Sequence, residues 1–145
     1  MKNNSALFYI CSLIEYIGRI TKNQRHDVLN YLGKDDVNRI YQYADVFHCE
    51  PIEKVADDFI QKDAILEGAF DNVAECKYDV PDYWDIGDVF ARLIEDCYKE
   101  NEMVNGIFEV YQSWIADKIL NFNSDFFYQS REYIAVCYKE GKVLN

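Results

Sequence analysis

Clustered glycine is missing from this 145-residue chain. Its six glycines, Gly18, Gly33, Gly68, Gly87, Gly106 and Gly141, stand too far apart for a loop that brings backbone N–H groups onto phosphate. That excludes the dinucleotide fingerprint and the P-loop. No Gly-x-Ser-x-Gly elbow occurs, so a hydrolase of that design is absent. Cys-x-x-Cys and His-Glu-x-x-His are missing as well, and with them the usual zinc spacings. Histidine is scarce, with only His26 and His48, which limits acid–base chemistry. The longest apolar stretch, Ala6 to Ile14, is interrupted by Ser12 and is too short to span a bilayer. No membrane partner, cofactor or metal is expected. The five cysteines are odd in number and scattered, and no secretory leader is read before the first helix, so free thiols in a cytoplasmic setting are the plain expectation.

What is present is apolar bulk, tyrosine and acid. Half the residues are apolar and 28% are charged, a globular balance. A chain this long buries roughly 70% of its unfolded surface and needs no metal or disulfide to hold together. It reads as a single helical domain over residues 1–145. Twelve tyrosines against two tryptophans favour half-buried positions, with the ring packed and the hydroxyl wet. The net charge of −11 is concentrated in residues 43–100, which carry sixteen acidic and five basic side chains. Residues 1–42 are mildly basic instead. Such a field repels nucleic acid and favours a basic protein partner.

Helical periodicity runs through most of the chain. Ser5 is read as the cap of a first helix whose stripe is Leu7, Ile10, Ile14 and Ile17, widened by Phe8, Cys11 and Leu13. Its first two turns carry no charge, so it is placed at the centre of the fold. A second helix runs from Gln24 to Leu32 and closes at Gly33. A third, capped by Asp35, carries Val37, Ile40, Tyr41, Ala44 and His48 on one face. Pro51 begins a fourth, with Ile52, Val55, Ala56 and Phe59 inward. Residues 64–84 lose periodicity and form a long connection ending in Tyr83-Trp84. Asp85 opens a fifth helix, a sixth covers Gly106 to Leu120, and a last runs from Ser130 to Glu140 before Gly141. No strand pair is found. The fold class is all-α, an irregular bundle of six or seven short helices.

Several side chains carry chemistry worth placing. Asp45 precedes His48 by three residues and is spaced to orient its ring, which defines a polar site and a small helical enzyme as one functional alternative. Asp82, Asp85 and Asp88 recur every three residues, where carboxylates also stabilise a helix start. Residues 24–47 have the outline of a helix-turn-helix presenting Asn38, Arg39 and Gln42, but Asp35, Asp36 and Asp45 would face phosphates. A DNA-binding regulator, or an acidic mimic of nucleic acid, is therefore the other alternative. The preferred contact surface joins acidic and aromatic residues: Asp57, Asp58, Tyr83, Trp84, Asp85 and Asp88.

The run Tyr43-Ala44-Asp45-Val46-Phe47-His48-Cys49, followed by Ile52, Val55, Asp57-Asp58 and Phe59-Ile60, resembles a family of small helical bacterial proteins of unknown function. Their genes often lie beside those for ADP-ribosyltransferase-like proteins in Firmicutes mobile elements. The resemblance spans residues 6–62, with Ala44 inserted between the Tyr and Asp of the family's Tyr-Asp-apolar-apolar-His run. It implies a partner or neutralising protein in a toxin–antitoxin-like setting and carries over no catalytic residue. Together with the acidic middle third, it favours a non-catalytic interaction module, an antitoxin or immunity-type partner of a basic protein.

The core assignment has a direct test. Ile10→Asp places an unpaired charge in the proposed central helix and should abolish cooperative thermal unfolding. A melting curve within a few degrees of the wild type would show that this helix is not central.

Overall fold

In the computed structural model, which describes residues 4–145, helices account for every regular element of the described residues. The eight α-helices are α1 (Ser5–Thr21), α2 (Arg25–Gln42), α3 (Ala44–Phe47), α4 (Ile52–Lys62), α5 (Tyr83–Cys97), α6 (Met103–Tyr111), α7 (Trp114–Leu120) and α8 (Arg131–Glu140). Single 3-10 turns lie at Glu100–Glu102 and Phe126–Tyr128. None of these helices is long and apolar enough to cross a membrane.

The first helix is central, as its wide apolar stripe predicts. Leu7, Ile10, Cys11, Leu13, Ile14 and Ile17 are all fully buried. Its cap is Asn4 and not Ser5: the Asn4 side-chain oxygen accepts from Leu7 N–H at 2.9 Å. The closest neighbour of α1 is α5, and Gly87 permits the approach. A methyl group at Gly87 would fall 2.7 Å from Ser12 Cα and 2.8 Å from Ser12 N, closer than atoms can pack. Ser12, which reads as a flaw in the apolar stripe, is the small residue that lets the two helices meet.

Glu15, the lone acid of the stripe, is also fully buried. Its Oε1 accepts from Arg25 Nε at 3.1 Å, and Arg25 Nη1 donates to the Asn23 carbonyl at 2.9 Å. Both charged side chains are sealed from solvent. A pair this deep adds little net stability, because desolvation opposes the attraction, but removing either partner would strand a charge in the core. Gly18 makes room for it, since a side chain there would reach within 2.6 Å of Arg25 Nε. The corner between α1 and α2 also anchors the long connection. Asn23 Nδ2 donates to the Leu66 carbonyl, and Gly68 and Phe70 N–H donate to the carbonyls of Thr21 and Lys22. Farther along, Asn72 Nδ2 donates to the Leu120 carbonyl. The connection is aperiodic because its bonds run to other elements.

Several boundaries differ from the sequence reading. Gly33 interrupts α2 at φ 75° and ψ 166°, a conformation open mainly to glycine, and the chain resumes as helix at once. The third helix of the sequence reading stops at Gln42, so His48 follows the separate short α3. Tyr83 and Trp84 belong to the first turn of α5 and not to a linker. Asp82, not Asp85, is the cap, its carboxylate accepting from Trp84 N–H at 2.7 Å. The predicted sixth helix is two, α6 and α7, because Ser113 is extended at ψ 167° and its hydroxyl bonds the Val110 carbonyl. The last helix starts one residue later than read, at Arg131 with Ser130 as its cap, and Gly141 closes it in the left-handed conformation as expected. All five cysteines are unpaired.

A carboxyl pair ties α2 to the end of α4. Asp36 accepts from Lys62 Nζ at 2.8 Å and 3.0 Å, and Asp63 lies 3.7 Å from the same ammonium. Burial, then the neighbouring Asp36, pushes Asp63 up to about 6. Burial works against ionising Asp36 too, but its bonds with Asp63 and Lys62 hold it below the usual carboxylate range. The folded protein thus keeps a proton on Asp63 that the unfolded chain releases near 4. The contribution of Asp63 is fully present below that pH and lost as pH rises toward about 6, whereas that of the depressed Asp36 is present above its unfolded value and lost as pH falls. Asp63→Asn should flatten the fall in Tm across that window and raise stability at neutral pH by about 1 kcal/mol. Thermal melts at closely spaced pH values would check it; an unchanged fall between pH values of about 4 and 6 would assign the titration elsewhere.

Candidate functional site

The seam between α1 and α5 continues to the surface as a row of aromatic rings. Phe8, Ser12 and Tyr16 follow one another at intervals of four, so they share a face of α1. Where α5 crosses that face, Gly87 meets Ser12, Trp84 reaches Phe8 and Tyr83 reaches Tyr16. The ring centroids are 5.5 Å apart for Phe8–Trp84, 5.1 Å for Tyr16–Tyr83 and 5.2 Å for Tyr83–Trp84. All four rings are half-buried, packed on one side and open on the other. Two bonds fix the α5 end: Arg19 Nη2 donates to the Pro81 carbonyl at 2.6 Å, and Asp82 caps the helix.

Carboxylates border this row. Glu53 and Asp57 lie one turn apart on α4, both exposed. Partial burial raises the Tyr16 phenol, and the charges of Glu53 and Asp57 add to the effect. Tyr83 is raised by burial first, and Asp82 and Glu53 act in the same direction, while the Trp84 contact and Arg19 act against them. Glu53 thus acts on both phenols, Asp57 on Tyr16 and Asp82 on Tyr83. Arg19 is the cation nearby, but it is half-buried and committed to Pro81.

Of the acids chosen from sequence, only Asp57 joins this group directly, together with Tyr83 and Trp84. Asp58 points to the other side of α4 and pairs with Lys54 at 3.1 Å. Asp88 pairs with Arg92 at 3.1 Å, one turn along α5. Asp85 is exposed and its charge acts on Arg19. Glu53, Asp82, Phe8 and Tyr16 were missed. The four-residue spacings Glu53/Asp57 and Phe8/Tyr16 are visible in the sequence, but the crossing that brings them together is not.

A cleft of about 460 Å³ opens at the Trp84 end of the row, beside the first turn of α1. Its walls include Phe8, Tyr9, Tyr41, Trp84, His48 and Asp45. Asp45 and His48, paired in the sequence reading, are thus neighbours at this rim, yet no hydrogen bond joins them. Asp45 Oδ1 accepts from Val46 N–H at 3.0 Å, and the His48 ring stands edge-on to Tyr9 at 5.7 Å. Tyr9 is buried, its hydroxyl has no partner, and burial followed by the charge of Glu50 pushes it up to about 12. Tyr41 OH accepts from Asn4 Nδ2 at 2.8 Å. No three His, Cys, Asp or Glu side chains gather as a metal centre would require among the described residues.

The two helical segments either side of Gly33 leave Asn38, Arg39 and Gln42 exposed. Arg39 is exposed, but its guanidinium lies over Phe47 at 5.8 Å, and nearby Lys62 is taken by Asp36 and Asp63. Compared with protein-family models, curated proteins and solved structures, the chain matches none, so the site is argued from its own geometry.

Proposed function

We propose that this protein is a non-catalytic interaction module that docks the aromatic row of the α1–α5 seam, bordered by Glu53, Asp57 and Asp82, on a basic protein. The observation that carries the reading is the row of four half-buried rings along the α1–α5 seam, with exposed Asp82 at the start of α5 and exposed Glu53 and Asp57 on α4. Rings held by packing on one side offer contact area with little entropy left to lose. The surrounding carboxylates steer a cationic partner toward them. A neutralising or immunity-type role is the most concrete form of this function and agrees with what the resemblance of residues 6–62 implies. The enzyme alternative has Asp45 and His48 on one cleft wall, but no hydrogen bond joins them, and Asp45 Oδ1 accepts from Val46 N–H instead.

The test separates a specific face from bulk charge. Binding of a labelled oligo-arginine peptide should weaken steeply with salt, as exposed charges are screened beyond about 8 Å at physiological ionic strength. The double change Glu53→Gln/Asp57→Asn should weaken it roughly threefold or more. The control Asp58→Asn/Asp88→Asn removes the same net charge from acids already paired with Lys54 and Arg92, and should change it little. Equal losses from the two double variants, or binding indifferent to salt, would overturn the proposal.

A further inference from the structure

We infer that the cleft at the end of the aromatic row is a binding site for an organic cation, a guanidinium or alkylammonium group carried by the basic partner. The inference rests on the docking reading for the source of the cation, but the recognition chemistry belongs to the cleft. Its volume of about 460 Å³ lies within the range of small-ligand sites and far exceeds one guanidinium. Four aromatic rings, whose π faces carry negative potential, line it, Phe8, Tyr9, Tyr41 and Trp84, and among the described residues no lysine or arginine does. Cations are attracted to such faces, most strongly to tryptophan, and more so where water is thinned. Trp84 is held in place by ring contacts with Phe8 at 5.5 Å and Tyr83 at 5.2 Å.

The charges around the cleft point the same way. Asp45 is the one carboxylate on the wall, and the field of Glu50 reaches Tyr9 behind it. The feature that opposes a cation is the positive end of α1, whose first residues, Ser5 and Ala6, also border the cleft. That end is already partly answered. Asn4 Oδ1 takes Leu7 N–H at 2.9 Å, and Glu95 Oε2 takes Asn4 N–H at 3.1 Å while its other oxygen binds Arg131. Four aromatic walls and an exposed carboxylate then outweigh a capped helix end. An anion, by contrast, would meet Asp45 and the negative faces of the rings.

The probes are Nα-acetyl-arginine methylamide, its neutral citrulline counterpart and Nα-acetyl-glutamate methylamide, titrated into the full chain. The arginine probe should bind, give intermolecular NOEs to the rings of Phe8, Tyr41 and Trp84, and bind at least about fivefold tighter than the citrulline probe. Asp45→Asn, at an exposed position, should weaken it about threefold without changing the circular dichroism. Glu53→Gln/Asp57→Asn should leave this small probe unaffected while weakening the oligo-arginine peptide, so failure of the cleft and failure of the docking face are separate results. Equal binding of the citrulline probe, preference for the glutamate probe, NOEs to other residues, or no arginine binding would each overturn the inference. So would binding that appears only after residues 1–3 are deleted, since the chain's own terminus would then be the occupant.

Discussion

Everything at the candidate surface depends on how closely α5 approaches α1, and that distance is set by Ser12 against Gly87. With backbone atoms of Ser12 less than 3 Å from where a Cβ at Gly87 would stand, neither position tolerates bulk. The contact acts as a pivot. On one side of it Trp84 meets Phe8, and on the other Tyr83 meets Tyr16. A helix held a few ångströms farther out would leave four aromatic side chains without partners, and the cleft would lose the Trp84 wall. The same approach buries Ile86 and Phe90 of α5 against the stripe of α1. The proposed interaction surface is therefore an extension of the core, not an addition to it.

The sealed Glu15–Arg25 pair stiffens the other end of the arrangement. It lies on α1 beyond Ser12 and fastens the start of α2, whose corner in turn receives Leu66, Gly68 and Phe70 of the long connection. That connection has to end at Pro81, where Arg19 holds it, for α5 to begin in the right place. A chain of polar contacts thus runs from the core charge to the cap of the helix that presents the rings. Its cost is tolerated because an error of placement at Asp82 would displace Tyr83 and Trp84 together.

Local periodicity made much of this legible in advance. The burial of Leu7, Ile10, Ile14 and Ile17 and the stop at Gly141 follow from spacing and backbone preference alone. Ser113, by contrast, carries no breaker signal, and its extended backbone splits a helix that reads as continuous. Asp82 was read as one of three evenly spaced acids, and its capping bond shows only once Trp84 N–H is placed. The site was half visible: Asp57, Tyr83, Trp84, Asp45 and His48 were singled out by residue type and local spacing. What sequence could not supply was which acids spend their charge within their own helix, as Asp58 and Asp88 do, and which face outward beside an aromatic ring, as Glu53 and Asp57 do. That distinction depends on the angle between α4, α1 and α5.

The central claim is that the α1–α5 seam, and not the acidic surface at large, is where a basic partner sits. The most direct measurement is the backbone and side-chain NMR footprint of an oligo-arginine peptide on the isotopically labelled full chain. The account predicts a contiguous set of shifts at Phe8, Tyr16, Glu53, Asp57, Tyr83 and Trp84, with little change at Asp71, Glu75, Asp117 or Glu132. Shifts spread evenly over the acidic residues, with the four rings unmoved, would contradict it.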